Sequence, residues 1–259
     1  MFTMMKAFLT SLTVFFLLVS SLTAQRPQQP EGWSYSLGMG ALVKPKYEGG
    51  SDYDFWPIPY FDVKYGESFF FSPAQGLGYR VEAGEGFNFT VAAGFDFGRD
   101  EEDGDLLRGM GDIDFGILGL AKLGYEWGQN FAQVEYGHEV SGVHGGFEVK
   151  SSLGRKFMIR DWKSIITLSA FTTYSSEDYL NTYFGVDLQQ SLSSGHGITQ
   201  FEAGLKDVGV SLNWIRPIND RWSFVGIANY SKFLGDIPDS PIVESDNQFF
   251  GGFFFVRSM

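Results

Sequence analysis

Three residues whose side chains could serve hydrolysis lie close together in the chain: His138, Ser141 and His144. A serine nucleophile needs a histidine base within hydrogen-bonding reach and a third group that orients this base. Alternation along a strand places His138 on the face of Val134 and Tyr136, and Ser141 on the opposite face. His144 follows the strand beside two glycines, in a loop that could fold back. The spacing therefore forms no local catalytic pair, and we predict no catalytic residue.

The densest group of candidate metal ligands is the acidic run from Asp100 to Asp105. Calcium favours clustered carboxylates, but the EF-hand loop has glycine at its sixth position, and here Gly104 is the fifth residue. A solvated loop is the simpler interpretation, with weak binding of divalent cations as the alternative. The chain contains no cysteine, which excludes zinc–thiolate sites and cysteine nucleophiles. We predict a non-enzymatic protein with no metal site and no cofactor.

The elements that carry these residues are indicated by an alternation of apolar and polar side chains. Residues 87–97 read Phe-Asn-Phe-Thr-Val-Ala-Ala-Gly-Phe-Asp-Phe, which gives a strand one apolar face and one small or polar face. We expect Phe89 and Val91 to face lipid, and Asn88 and Thr90 to face a lumen. Twelve strand candidates follow from such patterns: 33–43, 54–65, 67–72, 76–83, 86–98, 113–127, 130–141, 146–157, 163–174, 198–216, 221–234 and 247–257.

The connections between these strands differ on the two sides of the predicted sheet. Long polar connections at 44–53, 99–112, 175–197 and 235–246 fall on one side, and short turns fall on the other. This arrangement is typical of a transmembrane antiparallel up-and-down β-barrel with short periplasmic turns and longer extracellular loops. The predicted fold class is therefore all-β, with about 12 strands. Ten strands is the alternative count. If 67–72 and 76–83 formed one bent strand, an even number of strands would need a further strand within 175–197, at Tyr183–Val186.

The N-terminal residues indicate export. Lys6 precedes a mainly apolar stretch, and small residues follow, so we predict a signal peptide over 1–24, cleaved between Ala24 and Gln25. A short flexible leader over 25–32 then precedes a barrel domain over 33–259. A formal net charge of −12 argues against a nucleic-acid partner. The predicted location is the outer membrane of a Gram-negative bacterium, in contact with its lipid.

Several motifs along the mature chain resemble those of the MltA-interacting protein (MipA)/OmpV family. They include Pro45-Lys46-Tyr47-Glu48-Gly49-Gly50, Leu107-Arg108-Gly109-Met110-Gly111-Asp112, Gly204-Leu205-Lys206-Asp207-Val208-Gly209 and Asp239-Ser240-Pro241-Ile242-Val243. The resemblance implies an outer-membrane β-barrel. In one branch of the family it implies a scaffold that joins a murein hydrolase to a murein synthase, and in another an osmotically regulated or adhesion-linked surface protein.

The predicted periplasmic turns carry charged residues that could contact such envelope partners. The candidates for partner contact are Arg160, Asp161, Asp220 and Arg221. The main functional hypothesis is therefore a scaffold or envelope-interaction protein linked to murein-processing enzymes. The alternative is an outer-membrane channel permeable to small solutes or antibiotics, because the predicted inner face carries polar residues such as Gln133, Glu135 and Asn213.

Overall fold

The computed structural model describes residues 32–259. The predicted signal peptide (1–24), its cleavage site at Ala24 and Gln25, and all but the last residue of the predicted leader lie outside the described residues.

Twelve antiparallel strands close into one barrel, in which each strand pairs with its neighbour in sequence and β1 pairs with β12. The strands are β1 (Trp33–Pro45), β2 (Tyr53–Tyr65), β3 (Phe69–Ser72), β4 (Gly76–Glu82), β5 (Phe87–Asp96), β6 (Gly116–Trp127), β7 (Asn130–Glu139), β8 (Phe147–Ile159), β9 (Ser164–Ser175), β10 (Gly204–Pro217), β11 (Trp222–Phe233) and β12 (Asn247–Ser258). The prediction of an up-and-down barrel with twelve strands is confirmed. The alternative count of ten is wrong, because β3 and β4 are separate strands that pair with each other through a tight turn.

The two faces of the sheet follow the alternation of the sequence. On β5, Phe89 and Val91 are 45% and 46% exposed, whereas Asn88 and Thr90 are 8% and 6% exposed. The same separation holds on β7, where Val134 and Tyr136 face outwards and Glu135 faces inwards. The predicted orientation of these strands is therefore confirmed, with the apolar face outside.

The long connections lie at one end of the barrel, here called the loop end, together with the short turn 73–75 between β3 and β4; the other end, the turn end, carries only short connections. The longest connection is the lid, which we define as residues 176–203 between β9 and β10. It contains two helices, α1 (Glu177–Phe184) and α2 (Leu188–Ser194). The conditional prediction of a strand at Tyr183–Val186 is wrong, since Tyr183 and Phe184 end α1 and only Val186 makes an isolated bridge, to Thr199. None of the helices within residues 32–259 is long and apolar enough to cross a membrane.

Apolar side chains also fill parts of the interior. Inside the barrel, Leu42, Phe250, Phe254 and Val256 form a buried cluster on β1 and β12. At the loop end, a second cluster is built around the lid by Ile113, Tyr179, Leu180, Tyr183, Phe184, Phe201, Phe233 and Ile237. The lid is therefore a packed layer with its own hydrophobic core.

Candidate functional site

The lid begins with a capped helix that enters the barrel mouth. Ser176 is the N-cap of α1, and its hydroxyl oxygen accepts hydrogen bonds from the backbone N–H groups of Tyr179 and Phe147. The first bond satisfies a helix terminus and the second ties that terminus to β8. The side chains of Tyr179 and Tyr183, one helical turn apart, are 3% and 2% exposed and stack with their ring centroids 4.6 Å apart. One face of α1 therefore points into the barrel.

The first of these tyrosines joins a buried charge cluster, which we call the lysine cluster: Glu48, Glu148, Tyr179 and Lys206. The ammonium group of Lys206 lies 2.7 Å from a carboxylate oxygen of Glu48 and 2.7 Å from one of Glu148. The Tyr179 hydroxyl donates to Glu48 over 2.9 Å, and the Lys206 ammonium lies 4.8 Å from the Tyr179 ring centroid. Burial raises the pKa of Tyr179 well above its ordinary value, with the nearby Glu148 and Glu48 acting in the same direction. Tyr179 therefore remains a hydrogen-bond donor.

The second tyrosine joins a separate network around Asp96. The Tyr183 hydroxyl donates to Oδ1 of Asp96 over 2.7 Å, and Nε2 of His144 lies 3.1 Å from Oδ2. The backbone N–H of Gly146 donates to Nδ1 of His144, so this nitrogen carries no proton and Nε2 donates to Asp96. Arg99 completes the network by donating to the carbonyl oxygen of Tyr183 over 2.9 Å. His144 thus orients the lid rather than a nucleophile.

The serine of the sequence motif is engaged elsewhere. Glu139, at the end of β7, accepts hydrogen bonds from the backbone N–H groups of the five residues 141–145 and from the Ser141 hydroxyl. The Ser141 oxygen in turn accepts from the N–H of Ile117. His138 stacks beside Tyr136 on the outer face of β7, with ring centroids 6.2 Å apart. The three residues are not assembled into a catalytic triad: each has a structural contact of its own.

The acidic run also has structural roles. Asp100 and Asp103 form a reciprocal cap around a single 3-10 turn, and the Glu101 carboxylate accepts from the N–H groups of Gly109 and Gly111. Burial raises the pKa of Asp103. Within residues 32–259, no group of three or more His, Asp or Glu side chains is placed to hold a metal ion. The carboxylates of this run therefore stabilise the connection between β5 and β6.

Neighbouring connections pack against the outer side of the lid. Tyr47, Leu107, Met110, Val186 and Ile242 form a buried cluster that joins four different connections. Two polar bonds support it: Gln190 donates to the carbonyl oxygen of Met110 over 2.9 Å, and Nε2 of His196 lies 2.8 Å from the carbonyl oxygen of Leu106. Because the lid is bound on its inner side by the two tyrosines and on its outer side by this cluster, it closes the barrel mouth.

A cavity of about 130 Å³ remains beneath the lid. Its lining contains cationic residues such as Lys44, Arg99 and Lys206 together with anionic residues such as Glu135 and Glu148. Desolvated charges are costly unless they are paired, and here charges of both signs face the same space. Apolar residues such as Leu120, Phe171 and Phe250 also line the cavity, so it is a small chamber with a mixed lining.

The four predicted contact residues lie at the turn end. Arg160 and Asp161 are in the connection between β8 and β9, Asp220 and Arg221 are in the connection between β10 and β11, and all four are exposed. Because β9 pairs with β10, the two connections are neighbours. Near the end of β10, Arg216 lies beside the first connection, with its guanidinium carbon 5.8 Å from the ring centroid of Trp162. The structure thus brings the predicted residues to one edge of the barrel.

The sequence places this barrel in a family. The family model described as "MltA-interacting protein MipA" matches residues 37–259, which is most of the chain. The chain belongs to the MipA family. Two outer membrane proteins are similar to it: OmpV from Vibrio cholerae is 27% identical over 187 residues, covering 69% of each chain, and Omp26La from Vibrio anguillarum is 26% identical over 185 residues, covering 68% of each. With the barrel fold, these relatives identify an outer-membrane β-barrel protein. The loop end of this MipA-family barrel is therefore extracellular and its turn end periplasmic.

The comparison with solved structures found outer-membrane barrels at low sequence identity and low TM-score. The translocator domain of the autotransporter NalP from Neisseria meningitidis is 11% identical with a TM-score of 0.42, covering 89% of both chains. An outer membrane channel from Pseudomonas putida is 9% identical with a TM-score of 0.43, covering 89% of this chain and 96% of that one. At such scores the similarity carries no argument, and the topology described above rests on the strand pairings.

Sequence reasoning missed the lid, although signals for it were present. Ser176 followed by Glu177 and Asp178 is a helix-start pattern, and Asp187 with Gln190 three residues later forms a capping box. Both helices are short, with eight and seven residues, so neither shows a sustained apolar period. The segment therefore read as a polar loop.

Proposed function

We propose that this protein is a non-enzymatic scaffold that binds murein-processing enzymes at its periplasmic turns. The observation that carries the proposal is the turn surface, which we define as Arg160, Asp161, Trp162, Asp220, Arg221 and Trp222. Trp162 and Trp222 are 56% and 41% exposed. Among the described residues, no side-chain partner is found for the four charged members. Tryptophan and arginine are the residue types most enriched among energetically dominant interface contacts.

The family name supports the same role. It describes a protein that interacts with MltA, and the resemblance in the motifs implies a link between a murein hydrolase and a murein synthase. Such enzymes act in the periplasm, which is the compartment that the turn surface faces. Exposed charges of both signs suit a partner with complementary charges, because electrostatic complementarity speeds encounter and selects partners.

The closed lid favours a scaffold over the alternative of a small-solute or antibiotic-permeable channel. A conducting pore needs a continuous polar path. Here the mouth is occupied by α1, and large side chains such as Phe131, Phe171 and Phe254 are buried inside the barrel. These features argue against a permanently open pore.

The proposal is tested by reversing the two arginine charges of the turn surface. We expect Arg160→Glu with Arg221→Glu to reduce the recovery of murein hydrolase and synthase after crosslinking of intact envelopes. The matched control is Arg108→Glu on the extracellular side, where Arg108 pairs with Asp105 over 2.9 Å and both side chains are exposed. Heat-modifiable migration should be normal in both variants. Equal recovery of the enzymes from both would contradict the proposal, as would large, steady single-channel conductance of the unmodified protein with no recoverable partner.

A further inference from the structure

Two strands of the barrel are too short to cross a bilayer. β3 has four residues and β4 has seven, whereas a tilted transmembrane strand needs about 9–11 residues. At a rise of about 3.3 Å per residue, β3 is roughly 13 Å long even before its tilt is counted, compared with an apolar band about 25 Å tall. The barrel wall therefore extends over a shorter distance at β3 and β4 than at the other strands.

The pairing pattern shows where the missing wall lies. β2 pairs with β1 along its whole length, from Tyr53 to Tyr65, but with β3 only through Val63, Lys64 and Tyr65. On the other side, β5 pairs with β4 only as far as Ala93. Within the described chain, no extended contact joins β2 directly to β5. We call this opening the wall gap; it is bordered by residues 53–62 of β2, the hairpin tip 73–75 and residues 94–96 of β5.

The gap lies in the extracellular half of the wall. β3 and β4 are joined to their neighbours at the turn end, where Trp33 packs on Tyr65 and Phe69 with ring centroids 5.1 and 6.0 Å away. Two strands are absent above the hairpin, so β2 and β5 are separated by three strand spacings, or roughly 14 Å between strand axes. No backbone pairing therefore joins residues 53–62 of β2 to β5 at this height of the wall.

The free edge of β2 is unsuited to pairing with another strand. Pro57 and Pro59 are each opposed to a β1 residue, and the ladder to β1 runs through them without a shift. Since proline has no N–H, such positions fit only where the N–H would point away from the paired strand, here towards the gap. Both prolines thus remove donors from the open edge and protect it against strand addition.

The middle of the β2 inner face beside the gap is apolar, between the inward positions of Asp54 and Asp62, and the Lys44 ammonium lies 5.5 Å from the Trp56 ring centroid at its loop-end side. Trp56, Ile58 and Tyr60 point inwards from β2 and pack against the cluster of Leu42, Phe250 and Phe254. The Tyr60 and Phe254 rings are 5.5 Å apart. A hydrocarbon chain that entered from the leaflet would therefore meet an apolar surface, whereas a polar solute would lose hydration there.

We propose that the wall gap is a lateral binding site for an acyl chain of an outer-leaflet lipid, which lies between β2 and β5 and contacts Trp56 and Ile58. The adjacent bilayer supplies this occupant at high local concentration, and the two prolines disfavour both a peptide strand and the β2 edge of a second copy. The site is independent of the turn surface, which is at the opposite end of the barrel.

The absence of cysteine in the chain permits a contact test with single introduced thiols. Ile58→Cys is labelled with a benzophenone maleimide, reconstituted in vesicles of phosphatidylcholine and lipid A, and irradiated. The matched control is Ile227→Cys, which lies on the fully paired β11 and packs against the same inner cluster. Phe55→Cys, on the lipid-facing side and 66% exposed in the native residue, gives the signal for full lipid contact. Intact-protein mass spectrometry measures the covalent lipid adduct.

We expect lipid adducts at Ile58→Cys that approach the yield at Phe55→Cys, and none above background at Ile227→Cys. An equal, background yield at both inner positions would overturn the proposal, and a covalent dimer formed through Ile58→Cys would assign the gap to a second copy instead. If Ile58→Cys is not heat-modifiable, Trp56→Cys, the next inward position, repeats the test with the same expected outcomes.

Discussion

At the residue scale, buried charged side chains at the loop end fix the conformation of backbone segments through hydrogen bonds. Glu139 is 1% exposed and accepts from five consecutive backbone N–H groups. Replacing it by alanine leaves these donors without their acceptor. We expect Glu139→Ala to lower the free energy of unfolding in lipid vesicles by about 1.5–3 kcal/mol or more, since each hydrogen bond to a charged group contributes on that order.

The control for this prediction is Glu67→Ala. Glu67 is an exposed carboxylate in a periplasmic turn, so its removal should change the unfolding free energy little, because exposed charges contribute little. Glu139→Gln keeps one carbonyl acceptor and should fall between the two. If Glu139→Ala were as stable as Glu67→Ala, the carboxylate would not organise residues 141–145.

A second residue-scale prediction concerns pH. Hydrogen bonds from the side chain and the backbone N–H of Ser51 lower the pKa of Glu244 below its ordinary 4.5, and they join two extracellular connections. A carboxylate with a lowered pKa stabilises the folded state above its ordinary pKa, and this contribution is lost as the pH falls through the lowered value. We expect hydrogen exchange in residues 234–246 to increase on acidification below about pH 4.5 more in the native protein than in Glu244→Gln. Identical pH profiles in the two proteins would show that the contact between Ser51 and Glu244 does not stabilise this connection.

At the element scale, α1 determines whether the mouth is closed, and its fit depends on a glycine. A Cβ added at Gly146 would lie 2.6 Å from the backbone nitrogen of Tyr179 and 2.8 Å from Nδ1 of His144. Neither atom belongs to a flexible side-chain end, so the helix must shift. We expect Gly146→Val to loosen the lid, with faster proteolysis within residues 176–203 while the barrel remains heat-modifiable.

The matched control lies in the lid itself. A Cβ at Gly197 would meet no atom within 4 Å, so Gly197→Val adds the same apolar group without a clash. Its proteolysis pattern should equal that of the native protein. Slow, native-like cleavage in Gly146→Val would show that the lid tolerates displacement of α1 and that its closure depends on other contacts.

The elements differ in how far their sequence predicts them. Strands such as β5 and β7 were predictable because lipid and lumen impose opposite preferences on successive residues. The predicted strand at 198–216 begins only at Gly204, since Thr199 pairs with Val186 and Phe201 packs in the lid cluster. The lid itself depends on contacts between residues far apart in sequence, such as Tyr179 with Glu48 and Tyr183 with Asp96. No local pattern encodes those partners.

At the scale of the whole molecule, the barrel separates two solvents with one layer of strands. The outer face must match hydrocarbon, while the inner face tolerates both polar groups and aromatic side chains such as Phe131. This asymmetry explains why apolar residues outside were predictable and apolar residues inside were not: β12 carries phenylalanine on both faces, with Phe253 exposed and Phe254 buried.

Because the outer face contacts hydrocarbon and the inner face contacts the lumen, neighbouring residues of β7 should differ in the cost of introducing a charge. Val134 is 46% exposed on the outer face near the middle of the strand, and Gln133 precedes it on the inner face. An arginine at Val134 must place its charge in hydrocarbon, so Val134→Arg should lower the unfolding free energy in phosphatidylcholine vesicles by about 2–4 kcal/mol. Gln133→Arg, at almost the same depth, keeps its charge in a lumen that already holds Glu135 and Lys122 as an ion pair of 2.6 Å, and should cost less. Equal losses in the two variants would mean that this wall does not separate lipid from a polar interior.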